Sequence, residues 1–182
     1  MGLEVAGTIT AVGPNTKSPK IGTRVTVFAG QGGLAEYGYF PSDRLIEIPD
    51  TMPSEVAAGF QVAYGTSHLA LKHCAGLKKN NTLLVLGAAG GVGLTAVELG
   101  KYFGAQVLAA ARGEEKLKIA QEFGADVLID TNTDNLVEVV KSLGGADVVY
   151  DPIGGELFKE AMRACKPEAK ILTIGFASGD IP

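Results

Sequence analysis

The sequence predicts an α/β fold, a doubly wound parallel sheet preceded by a small antiparallel β domain, and three observations predict it. Strand-like apolar runs at 82–87, 106–111, 126–129, 146–151 and 170–175 alternate with amphipathic segments of helical length. Such Val/Leu/Ile-rich strands, separated by helices, belong to a parallel sheet covered on both faces. Residues 1–50 differ: short alternating runs, Thr8–Val12 and Arg24–Phe28, are broken by turn signals at Gly13-Pro14-Asn15 and Gly30-Gln31-Gly32-Gly33. Finally, a glycine-rich stretch, Gly87–Gly93, lies between the first strand of the alternating region and its first helix.

Taken in order, the antiparallel texture ends near Pro53, which with Ser54 and Glu55 marks a helix start. A second helical run from about Gln61 to Cys74 leads into the alternating region, so the domains read as 1–59 and 60–182. Thr82–Leu86 is the first parallel strand. In the turn that follows, the chain must bend sharply, let backbone N–H groups approach a ligand closely and pack a helix hard on the sheet, and glycine meets all three demands. As G-x-G-x-x-G the pattern falls on Ala88, Gly90 and Gly93, with alanine at the first glycine and Gly87 in front. Val92, Ala96, Leu99 and Phe103 form one apolar helical stripe ended by Gly104. This is the Rossmann-type dinucleotide turn, in which the helix N-terminus offers N–H groups and about half a positive charge to a pyrophosphate. Ala89, Gly90, Gly91 and Val92 are the residues that would hold it.

The end of the second strand types the dinucleotide. An NAD site places Asp or Glu there for the ribose hydroxyls, whereas an NADP site accommodates a 2′-phosphate. Here the strand ends at Ala111-Arg112, with Lys116 one helical turn further on. Arg112 offers a planar fork and Lys116 a point charge, which predicts NADPH over NADH. The bland reading of the same pair is two solvated charges, partly neutralised by Glu114 and Glu115.

Composition bounds the partners. The 182 residues carry 16 basic and 20 acidic side chains, a net charge of −4, without a long basic block, so nucleic acid is not expected as a partner. No apolar run reaches the ~18 residues of a membrane span, and the start lacks a secretory pattern, so no membrane partner is expected either. Cys74 and Cys165 lie far apart and read as reduced core thiols, Cys165 on a helical stripe with Leu157 and Ala161. His68 and His73 read as ordinary helix residues on different sides of one helix, and no metal site is expected. These features point to a soluble cytoplasmic protein, with the mitochondrion left open.

Several motifs resemble one family along the whole chain. Gly2-Leu3-Glu4-Val5-Ala6-Gly7, Gly22-Thr23-Arg24-Val25, the strand Gly33–Tyr37, Ala63-Tyr64-Gly65-Thr66 and Gly87–Gly93 are similar to segments of the medium-chain dehydrogenase/reductase superfamily. They look like its zinc-independent quinone oxidoreductase, or zeta-crystallin-like, branch. The resemblance implies part of a GroES-like β domain followed by a Rossmann domain lacking its last strand. It implies that Lys116 contacts the 2′-phosphate and that two loops, Asp151 to Gly154 and Gly175-Phe176-Ala177-Ser178, border the nicotinamide and its ribose. Relatives often carry a tyrosine near the adenosine phosphate where this chain has Thr131.

Zinc-dependent members carry metal ligands where this chain has Leu3 and Ala58. Without a Lewis acid an alkoxide is hard to stabilise, which disfavours alcohol oxidation and leaves hydride transfer to a quinone or enone. No residue is singled out as catalytic. Two alternatives stand beside this reading: an enoyl-thioester reductase on the same cofactor site, and a non-catalytic NADPH-binding protein. Family members extend beyond both ends of this sequence, so the resemblance implies a fragment, with a homodimer for the complete protein.

Overall fold

The computed structural model describes residues 1–17 and 19–181; Ser18, and Pro182 at the end of the second expected domain, lie outside the described residues. Two compact units emerge, residues 1–65 and 66–182.

In the first unit, strands β1 (Glu4–Thr8), β2 (Arg24–Phe28) and β3 (Ile46–Glu47) form an antiparallel sheet in that order. The first strand thus precedes the expected Thr8–Val12. Pairing decides this: all five residues of β2 find partners from Thr8 back to Glu4, and mutual backbone bonds between Ile9 and the Gly22-Thr23 turn close the ladder's end. Among the described residues no strand pairs with Gly33–Tyr37, so the expected strand there is irregular chain. Arg24 spreads its guanidinium over the Asp50 and Met52 carbonyls at 2.9 and 2.6 Å. It thereby fixes the turn before α1 (Ser54–Ala58). Helix α2 (Phe60–His68) follows, and the Val62 N–H donates to the Glu4 carboxylate at 2.9 Å.

The second unit holds a five-stranded parallel sheet of β4 (Thr82–Leu86), β5 (Gln106–Ala111), β6 (Val127–Asp130), β7 (Ala146–Asp151) and β8 (Cys165–Thr173), in the order β6-β5-β4-β7-β8. Every residue of β4 is buried, and so are Val107–Ala111 of β5. Alternate side chains enter two cores. Leu83, Val85, Val107 and Ala109 pack with Ala96 and Val97 of α3 (Gly91–Tyr102) and Ala120 of α4 (Glu114–Glu122). Leu84, Leu86, Leu108 and Ala110 pack with Leu136 and Val140 of α5 (Leu136–Ser142) and with Ala161 and Ala164 of α6 (Gly155–Ala164). Each fully buried Leu or Val contributes about 1.5–3 kcal/mol, so the sheet is the rigid platform on which the strand-end loops stand.

Two devices tighten this platform. Gly100 brings α3 down on the sheet, because a Cβ there would lie 2.5 Å from Leu83 Cδ2. At the N-terminal ends of the strands, Asp126 accepts the Val107 N–H and pairs with Lys101, while Asp147 accepts the Thr82 N–H at 2.7 Å and pairs with Lys166 at 2.8 Å.

The cysteines depart from expectation. Cys74 is exposed rather than in the core, at the end of a helix that presents it to solvent. Cys165 begins β8 instead of continuing the helical stripe, since the backbone turns extended at that residue. Its thiol donates to the Ala161 carbonyl at 3.2 Å.

Candidate functional site

In this strand order the chain leaves β4 toward β5 and β6 and then returns to place β7 on the other side. That reversal is the topological switch point, and ligands of open α/β sheets bind outside the carboxyl ends of the strands there. The glycine turn occupies it. Gly87 takes a left-handed φ of +59° and packs against Ile153 from the β7 loop, where a Cβ would lie 2.6 Å from Ile153 Cδ1. Gly93 lets α3 start against the turn: a Cβ there would lie 2.3 Å from the Gly87 carbonyl oxygen. Gly90 is the N-cap and no side chain caps the helix. The Leu94 N–H reaches back to the Gly90 carbonyl at 2.8 Å, so the N–H groups of Gly91, Val92 and Gly93 head the helix without an intrahelical acceptor.

A groove of about 370 Å3 runs from this turn across the strand ends. Of the sequence-predicted residues, Ala89, Gly90, Arg112, Lys116 and Ser178 line it. Arg112 and Lys116 are both exposed, and among the described residues neither is in an ion pair with Glu114 or Glu115. Thr131 shares this wall, its hydroxyl 3.4 Å from the Ala111 carbonyl. Asp130 shapes the wall from behind, its Oδ1 accepting the N–H groups of Gly113 at 3.0 Å and Asn132 at 2.9 Å. Those two bonds hold the Asp130 carboxyl below its ordinary value.

Gly91, Val92, Asp151, Gly154, Gly175 and Phe176 adjoin the groove without lining it. Asp151 is fully buried; its Oδ1 accepts the N–H groups of Ile153 and Gly154 at 2.8 and 2.9 Å. It therefore acts as the brace of the β7 loop. Gly154, in a left-handed conformation, is the N-cap of α6. The two loops expected to border a nicotinamide do meet: the Ala177 N–H donates to the Pro152 carbonyl at 3.1 Å and the Ser178 N–H to the Ile153 carbonyl at 2.9 Å. Ile153, Leu157 and Ala177 also line the groove. Ile153 and Ala177 fall within the two expected loops, whereas sequence reasoning missed Leu157 because an apolar lining residue looks like any core residue.

Beneath the helix start lies a second feature the sequence did not reveal. Ser67, fully buried, donates to the Val92 carbonyl at 3.1 Å and lies 2.8 Å from both the Thr95 hydroxyl and the Tyr150 phenol. Burial pushes the Tyr150 phenol up, with the Ser67 hydrogen bond opposing it. Just after Ser67 the chain widens into a π-helix, Leu69–Cys74. A π turn bonds each residue to the fifth along, which brings positions five apart onto one side. His68 and His73 accordingly meet edge to face with ring centroids 5.5 Å apart, correcting their expected separation. No group of three or more His, Cys, Asp or Glu among the described residues could hold a metal ion. In the first unit, Tyr64 stacks on Phe60 with centroids 4.7 Å apart.

Known proteins share this arrangement. Residues 91–182 match the family model described as zinc-binding dehydrogenase, and residues 1–50 the alcohol dehydrogenase GroES-like domain. The chain belongs to the zinc-binding dehydrogenases of the medium-chain dehydrogenase/reductase superfamily. Proteins of that superfamily that it is similar to are named quinone oxidoreductases or quinone oxidoreductase-like proteins. It is 40% identical to a quinone oxidoreductase-like protein 2 homolog of Nematostella vectensis over all of this chain and 51% of that protein. Among solved structures, a mycobacterial protein complexed with NADPH superposes with a TM-score of 0.90 at 32% identity, covering 100% of this chain and 58% of that one. Escherichia coli quinone oxidoreductase complexed with NADPH gives 0.92 at 26% identity, over 100% and 57%. This medium-chain dehydrogenase/reductase chain thus spans about half the length of the relatives it matches. No helix among its described residues is long and apolar enough to cross a membrane.

Proposed function

We propose that this chain supplies the cofactor site of an NADPH-dependent oxidoreductase that transfers hydride to a quinone or other conjugated carbonyl without zinc. One observation carries the reading: a single groove joins the uncapped N-terminus of α3 to Arg112 and Lys116, with no acid at the end of β5. A dinucleotide with a 2′-phosphate matches both ends of that groove, since the helix start suits a pyrophosphate and the two cations suit the additional dianion. An Asp or Glu in place of Ala111 would instead repel it. The NADPH named with two similar structures supports the same assignment.

The bound dinucleotide would supply the hydride. The chain's own part is to hold and orient: Gly90, Gly91 and Val92 at the pyrophosphate, Arg112 and Lys116 at the 2′-phosphate, and the linked loops at Asp151–Gly154 and Gly175–Ser178 at the nicotinamide end. Hydride transfer to an acceptor that is already electrophilic needs chiefly positioning. The donor set also disfavours zinc, because Leu3 and Ala58 stand where metal-dependent members carry ligands and the described residues offer no alternative cluster. Fluorescence titration with NADPH and with NADH tests the reading. NADPH is expected to bind about tenfold or more tighter, with the preference lost in Arg112→Ala and Lys116→Ala. Equal binding of both dinucleotides by the unaltered chain would overturn it.

A further inference from the structure

The buried hydroxyls under α3 have no role in the reading above, and apolar packing alone does not call for them. Replacing both members of a buried hydrogen bond by apolar groups of the same shape is close to neutral, so Ala, Val and Phe would fill the space that Ser67, Thr95 and Tyr150 occupy. What distinguishes the set is its target. Ser67 and Thr95 both donate toward one atom, the Val92 carbonyl oxygen, at 3.1 and 3.0 Å. Tyr150, fully buried in β7, holds Ser67 from below at 2.8 Å.

The Val92 carbonyl belongs to the same planar peptide as the Gly93 N–H, one of the N–H groups that the helix start leaves without an intrahelical acceptor. Hydrogen bonds to the oxygen of a peptide fix its plane and strengthen its N–H as a donor, by about 10–30% per bond. We propose that Ser67 is a positioning residue for the pyrophosphate, acting through the Val92–Gly93 peptide, with Tyr150 orienting Ser67. This rests on the dinucleotide reading and extends it to a residue that sits behind the glycine turn. Gly93 cannot carry a side chain to steady itself, because its Cβ position lies against the Gly87 carbonyl. Support from the far side of the peptide, through the oxygen, is the route left open.

The test compares NADPH with 2′-AMP, which carries the 2′-phosphate but no pyrophosphate. Ser67→Ala is expected to weaken NADPH about three- to tenfold while changing 2′-AMP affinity by less than about twofold. Ser67→Cys, which fills the same space with a weak donor, guards against a misfolded Ala variant and should fall between. Tyr150→Phe leaves Ser67 in place and should cost NADPH affinity less than Ser67→Ala does, even where the two variants lose equal thermal stability. Parallel losses of NADPH and 2′-AMP, or NADPH affinity that follows stability across the variants, would reduce Ser67 to a packing role and overturn the proposal. Unchanged NADPH affinity in both Ser67 variants would overturn it too. Failure of the unaltered chain to bind either ligand would instead overturn the cofactor reading, and the proposal with it.

Discussion

Gly113 and Asp130 join the ends of two neighbouring strands: the Gly113 N–H donates to Asp130 Oδ1 at 3.0 Å, directly beside Arg112. The loop that presents the cation is therefore pinned by a carboxylate that itself stays at the back of the groove. Asp130→Ala removes the acceptor and frees the loop, so the preference for NADPH over NADH should shrink several-fold in paired titrations. Asp130→Asn keeps an oxygen at the same place and should retain the preference.

The same pair gives a pH signature. Backbone hydrogen bonds from Gly113 and then Asn132 lower the Asp130 pKa in the folded protein. Its contribution is present above the unfolded aspartate value of about 3.9 and is lost as pH falls through the lower folded value. The acid limb of a melting-temperature profile below about pH 4 should be shallower in Asp130→Asn than in the unaltered chain.

Two glycines of α3 should respond differently to alanine. At Gly93 the new Cβ meets backbone, the Gly87 carbonyl oxygen at 2.3 Å, and the turn itself must move. Gly93→Ala should abolish dinucleotide binding. At Gly100 the obstacle is the end of a side chain, Leu83 Cδ2 at 2.5 Å. Gly100→Ala should destabilise by about 1–3 kcal/mol through overpacking yet leave the dinucleotide affinity nearly intact, as denaturant melts and titrations would show.

Asp147 and Lys166 form a partly exposed pair at 2.8 Å, but the partners are not equivalent. Losing Lys166 removes an ion pair worth ~0–1 kcal/mol. Losing Asp147 also strips the Thr82 N–H of its acceptor, adding about 1–3 kcal/mol. Chemical denaturation should rank Asp147→Ala clearly below Lys166→Ala.

Thiol labelling should separate the cysteines. Cys74 is exposed, whereas burial pushes the Cys165 thiol up and slows its conversion to thiolate. A colorimetric disulfide reagent at neutral pH should modify Cys74 quickly and Cys165 only on unfolding.

The parallel strands and the glycine turn were legible because each is written locally, in periodicity or in turn chemistry. What stayed hidden depends on partners distant in sequence. Ser67 and Tyr150 are 83 positions apart, and nothing near either marks the other. The register of β1 followed from the length of β2, not from its own alternation. His68 and His73 misled because the 3.6-residue period was applied to a segment that winds more widely. Asp130 did carry a local sign that went unused, a strand-end acid opening a polar run, Thr131 to Asn135, which is an Asx-type turn.

The position of β4 at the centre of the sheet also sets an order of assembly. It can pair with β5 soon after both exist, and β6 can add to β5, all between chain neighbours. Its other edge must wait for β7, separated from it by two intervening strands and three helices. Loop closure over such a distance is the slow kind. The groove draws Gly87 and Ala110 from the early half and Ile153 and Ser178 from the late half, so it exists only when the last crossover has docked. In a refolding experiment, recovery of dinucleotide binding would therefore lag behind recovery of helical signal and clock the final step of folding.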